Sequence, residues 1–196
     1  HSFGGMMARY HASLYPQEVQ GLVLVDPLLP EEWMSPGGVE TRMLERAVQL
    51  SRRGGTLARI GVVRFALALA MGGSRWLPSK ISKVSSGGAG VVERLVGEVR
   101  KMPREIWPMI RAHWCDPKSF EAMAMHLEGL PRMSQEVAGS RLPADLPLSL
   151  LAAKSTHPLK IETMKALAAQ SSRSQFVIAS ESGHWVHLDQ PELVLE

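Results

Sequence analysis

Apolar and polar positions divide this chain into three stretches of different character. Met6 to Tyr15 reads as a helix, and Pro16 begins the turn out of it. Gly21-Leu22-Val23-Leu24-Val25 is then a continuous apolar run closed by Asp26-Pro27. A short run rich in branched residues and bounded by a turn predicts a buried parallel strand, and its closeness to the helix predicts an α/β unit. The middle, from Leu28 to Leu142, has no strand alternation. Its Gly and Pro punctuation predicts helices over residues 39–53, 57–71, 91–101, 105–114 and 119–127. The last stretch returns to α/β character, with strands expected over 146–152 and 175–179 and an amphipathic helix over 161–170. It ends in Ser182-Gly183-His184-Trp185 and Asp189-Gln190-Pro191-Glu192, and no internal repeat is visible.

Composition changes this picture in a few places. The chain has 196 residues, 45% of them hydrophobic, enough for one sizeable core in one or two domains and unlike a disordered segment. The net charge of +3 conceals an asymmetry: residues 42–111 hold 14 Lys and Arg against 4 Glu, a balance of +10, leaving −7 elsewhere. So basic a segment suits anionic ligands or a membrane surface, although a solvated helical face is the ordinary reading. With no nucleic-acid reading motif or aromatic platform, no nucleic-acid partner is expected. The most apolar stretch, LARIGVVRFALALAM at 57–71, is too short to span a bilayer and carries Arg59 and Arg64, so a buried or interfacial helix is expected there rather than an integral membrane segment. Ser85 to Gly90, SSGGAG, lacks the Lys-Ser/Thr ending of a phosphate-binding loop and reads as a connection. Cys115 stands alone, so no intramolecular disulfide forms and a buried thiol is expected. No pair of histidines has metal-ligand spacing, which predicts no zinc; no cofactor is expected.

Candidate chemistry sits at the two ends. A serine at the tip of a tight turn from strand into helix exposes its hydroxyl on a strained backbone, and small residues must surround it. His1-Ser2-Phe3-Gly4-Gly5 fits that Gly-x-Ser-x-Gly elbow, with His1 as the variable residue, Gly4 as the second glycine and the first glycine lying upstream. With HSFGGMMARYHASLYPQEVQGLVLVDP at one end, a helical insertion, and SGHWVHLDQPELV at the other, the sequence resembles the C-terminal two thirds of an α/β-hydrolase-fold protein. The resemblance implies a parallel sheet with flanking helices: elbow, helix and strand over 1–30, a helical cap over 31–142, and the remaining core over 143–196. It also implies strands upstream of Ser2, without which the piece would expose unpaired edges, fold poorly or aggregate, and be inactive. No signal peptide is visible, which favours the cytoplasm, although that weighs little if the natural start lies upstream.

The resemblance further implies roles. Ser2 would be the nucleophile, and His184, in the Gly-His pair after the last strand, the base that takes its proton and returns it to the leaving group. Phe3 would donate its backbone N–H to the oxyanion hole. The usual acid position, Ala152 to His157, has no carboxylate, so the minority position after the strand following the nucleophile helix is preferred, which is Asp26. An Asp before Pro also makes an ordinary turn. Asp145 lies at the wrong end of its strand, while Glu162 and Glu181 are fallbacks. His187 is a candidate pocket residue, and His1, His11, His113, His126 and His157 read as structural or surface residues. The expected activity is hydrolysis of a small or medium hydrophobic carboxylic ester, with a small-molecule ester as partner. The alternative is a catalytically silent relative that binds a small molecule or partner.

Overall fold

A computed structural model describes residues 1–71 and 97–195. Along the chain the described helices and strands are α1 (Ser2–Leu14), β1 (Leu22–Val25), α2 (Gly38–Arg59), α3 (Val62–Met71), α4 (Trp107–Trp114), α5 (Pro117–Ala138), β2 (Leu148–Ala153), α6 (Pro158–Ala168), β3 (Ser174–Ala179), α7 (Val186–Asp189) and α8 (Glu192–Leu195). The loop expected at 85–90, and most of the helix expected at 91–101, lie outside the described residues. The chain divides into two compact units, one of His1–Gly37 with Leu130–Glu196 and one of Gly38–Gly129.

The first unit is built on a parallel three-stranded sheet of order β1-β2-β3. Leu24 pairs with Leu150, which pairs with Phe176. Parallel neighbours need a crossover, and α6 supplies the one between β2 and β3. Side chains alternate across a strand, so each strand feeds two cores. On one face Leu22, Leu24, Leu148, Leu150 and Ala152 pack with Ala12 of α1 and with Met164 and Leu167 of α6. On the other, Val25, Leu151, Ala153 and Ala179 pack with Val186 of α7, and Leu193 and Val194 of α8 lie against them. The strand expected to be buried throughout is open at Val23, which is 52% exposed. Helices on both faces of a parallel sheet are the α/β architecture expected from the sequence.

In the second unit, α2 lies on the start of α5. A Cβ on Gly54 would stand 2.5 Å from two ring carbons of Phe120, so only glycine lets the ring approach this closely. Arg52 pairs with Glu128 and Arg59 with Glu121 across the same helix pair. Leu67 of α3 packs on Cys115, which is buried as expected. The single helix expected over 57–71 is divided: α2 runs on to Arg59, Gly61 takes a φ of +80°, and α3 restarts at Val62. That left-handed backbone interrupts a helix even where side-chain periodicity continues. The helix expected over 119–127 is longer, running from Pro117 to Ala138 with Pro131 inside it. Among the described residues no helix is long and apolar enough to cross a membrane.

Candidate active site

Ser2 is the first residue of α1 and has a φ of +52°. A non-glycine residue rarely adopts that left-handed region, because its Cβ crowds the backbone there. The conformation is held from outside the helix. Ser2 forms a parallel bridge with Pro27, and the Leu28 amide donates to the Ser2 carbonyl at 2.9 Å. The first turn of α1 therefore lies against the chain leaving β1. The demand for a small residue falls one position later than the sequence pattern indicates. Nothing lies within 4 Å of a Cβ built on Gly4, whereas a Cβ on Gly5 would be 2.7 Å from that of Pro27. Phe3, also in this first turn, is half-buried.

Asp26 follows β1, is buried, and has a φ of +37°. Its backbone N–H continues the ladder to the Leu151 carbonyl at 2.7 Å, which fixes where its side chain starts. Oδ2 lies 2.5 Å from His184 Nδ1. Oδ1 accepts from Thr156 Oγ1 at 3.2 Å and faces Lys160 Nζ at 3.7 Å. Lys160, on α6, reaches Glu32 Oε2 at 3.8 Å as well. Burial pushes the Asp26 carboxyl upward. The His184 hydrogen bond, the Lys160 charge, the His184 charge and the Thr156 hydrogen bond pull it down and prevail, so its pKa lies below the ordinary carboxylate value.

His184 follows β3, and its loop is tied at several points. Asp189 Oδ2 accepts from the Gly183 N–H at 3.0 Å and from Ser182 Oγ at 3.2 Å. Gln190 Oε1 accepts from the Glu181 N–H at 3.1 Å. The Lys154 N–H donates to the Ser182 carbonyl at 3.0 Å, joining this loop to the one after β2. The imidazole stays 46% exposed. A carboxylate at Nδ1 favours the tautomer with the proton there and leaves Nε2 as an acceptor. His1 Nε2 donates to the His184 carbonyl at 2.9 Å, and the two rings lie 4.4 Å apart. Trp185 and His187 complete the ring cluster, 5.0 Å and 4.8 Å from His1.

The structure thus joins Asp26 directly to His184 and binds the Ser2 backbone to the residues just after Asp26. Asp26, Thr156 and His184 all stand on loops leaving the C-terminal ends of the three strands, the edge where open α/β sheets carry ligands. Asp145 precedes β2, Glu162 is paired with Lys165 at 3.0 Å, and Glu181 is exposed. Three residues at the site escape the sequence reading. His1, expected to be structural or at the surface, packs against His184 with its ring tilted 47° to the imidazole. Thr156 and Lys160 hold Asp26; the only signal for Thr156 was that the segment where the usual acid is missing still carries polar side chains, and Lys160, in α6, had none. His157 caps α6, its Nδ1 accepting from the Leu159 N–H at 3.3 Å. No group of three or more metal-ligating side chains occurs among the described residues. An open cleft of about 460 Å³ lies beside the His184 loop, lined by Lys154, Ser155, Glu181, Ser182 and Gly183.

Comparison with protein families gives a match over residues 1–196 to the alpha/beta hydrolase family. The chain belongs to that family. No curated protein and no solved structure matches it. Parallel strands all point their C-terminal ends the same way, so residues far apart in sequence meet on one edge.

Proposed function

We propose that this protein is a serine hydrolase that cleaves carboxylic esters of small or medium hydrophobic substrates, using Ser2, His184 and Asp26, with residues 31–142 as a cap. The observation that carries the reading is the 2.5 Å contact between Asp26 Oδ2 and His184 Nδ1, beside a serine held at positive φ at a helix start. In this mechanism His184 Nε2 takes the Ser2 hydroxyl proton while Oγ attacks the ester carbonyl carbon. Asp26 stabilises the imidazolium without taking its proton. The Phe3 N–H donates to the developing oxyanion, as backbone donors in the first turn of a helix suit negative charge. Collapse expels the alkoxide, which leaves as the alcohol after taking the proton from His184. Water then attacks the acyl-enzyme by the same relay, releasing the acid and restoring Ser2.

The test is fluorophosphonate labelling of a protein that includes the upstream strands the resemblance implies, read by intact mass, together with turnover of p-nitrophenyl esters. One label per chain, lost in Ser2→Ala, is expected. Asp26→Asn should lower kcat on the esters by about 10³–10⁴-fold, the scale set by a wrongly held imidazole tautomer. A folded protein that takes no label would sink the hydrolase reading and favour the silent, ligand-binding alternative.

A further inference from the structure

Helix α2 carries two sets of arginines, and only one set is spoken for. Arg52 and Arg59 point toward α5, where Glu128 and Glu121 pair with them. The buried positions Leu44, Val48, Gly55 and Ala58 belong to the covered side of α2. On the opposite side, Val39, Met43, Leu50 and Leu57 follow one another at helical spacing and are 67%, 55%, 55% and 43% exposed. Along the flank of that stripe stand Arg42, Arg46 and Arg53, all exposed and none paired with an acid among the described residues. From residue 39 to 57 the stripe extends about 27 Å at the rise of an α-helix. Ile60 at the end of α2, 69% exposed, prolongs its apolar character.

We infer that this face of α2 lies on an anionic lipid surface, its four apolar side chains in the interface and its three arginines on the headgroups. An amphipathic helix binds in the plane of a membrane when an apolar face and a cationic flank act together, and both are present on one 22-residue helix. The arrangement discriminates among occupants. A second copy docked antiparallel by two-fold symmetry would bring the same arginine row against itself, where like charges repel. A nucleic acid would engage the arginines but leave Val39, Met43, Leu50 and Leu57 without an apolar partner. Negative headgroups above an acyl boundary satisfy both halves of the face. The inference is independent of the chemistry proposed for Ser2.

The experiment is flotation of the full chain with vesicles of phosphatidylglycerol or of phosphatidylcholine, at low and high salt. Binding to phosphatidylglycerol alone, weakened by salt, is expected. Arg46→Gln with Arg53→Gln should weaken it about tenfold, and Met43→Gln with Leu50→Gln should weaken it comparably, while Arg52→Gln with Arg59→Gln, an equal change in net charge, leaves it within about twofold. All six side chains are exposed enough for the variants to fold, which unchanged melting temperatures would verify. Equal binding to both vesicles, equal loss in the Arg52/Arg59 variant, or no binding would overturn the inference. So would self-association abolished by the Met43/Leu50 variant in a protein that ignores vesicles, which would assign the face to a second copy.

Discussion

Asp26 is held by one backbone bond and three side chains, which govern different properties. The ladder bond to Leu151 sets its backbone, His184 takes one carboxylate oxygen, and Thr156 and Lys160 share the other. This candidate carboxylate therefore has several partners, including Thr156 from the segment after β2 that itself lacks a carboxylate. Lys160 is the electrostatic member of this set. Burial alone would raise the Asp26 pKa, yet the carboxyl is held below its ordinary value, with the Lys160 charge among the causes. A carboxylate with a depressed folded-state pKa contributes stability above its unfolded pKa, and that contribution is lost as pH falls through the folded value. Lys160→Gln should therefore raise the pH at which Asp26 titrates, followed by carboxyl carbon NMR, and make acid unfolding begin at higher pH. An unmoved Asp26 titration would show that Lys160, 3.7 Å away, exerts no effective field there.

At the scale of elements, the seat of Ser2 depends on how closely α1 approaches the chain after β1. Gly5 is the point of closest approach, against Pro27, while Gly4 faces open space. Two neighbouring glycines of one helix turn thus predict opposite results. Gly5→Ala forces α1 away from Pro27 and should cost about 1–3 kcal/mol, in the manner of an overpacked core. Gly4→Ala should be neutral or stabilise by about 0.5–1 kcal/mol, since alanine favours a helix where its methyl has room. Urea unfolding of the two variants makes the comparison, and equal midpoints would contradict the close approach. Gly61 shows a complementary effect, since its positive φ separates α2 from α3 within one apolar stretch.

The whole molecule builds its sheet from distant parts of the chain. β1 and β2 are neighbours although the entire second unit intervenes between them in sequence, and Leu150 at the sheet centre is fully buried. Such non-local pairing makes the site a consequence of completed folding, because Ser2 and Asp26 come from one segment and His184 from the other. Leu150→Ala should lower stability by about 2–5 kcal/mol in urea titration, and the Asp26–His184 contact should be lost along the same unfolding curve. A midpoint close to that of the parent chain would mean that the sheet does not hold the two segments together.

Local pattern already carried much of this architecture. Apolar runs with a turn at their end located β1, β2 and β3, since strand burial leaves its record in adjacent residues, while Ser2, His184 and Asp26 became candidates through the resemblance to α/β hydrolases that the motifs at the two ends carry. Helix ends were less legible: α2 continues past 53, where Gly54 and Arg59 meet α5, and α5 continues past 127, where Ser134 and Gln135 meet Met6 and Met34, because contacts distant in sequence stabilise turns that propensity alone leaves open. Other features had no local trace. The packing of His1 against His184, the grip of Thr156 and Lys160 on Asp26, and the exchange of roles between Gly4 and Gly5 depend on distances between residues that meet only when the parallel strands align. A side chain's neighbours along the chain constrain its backbone, but its neighbours through space set its charge, its orientation and the room it has.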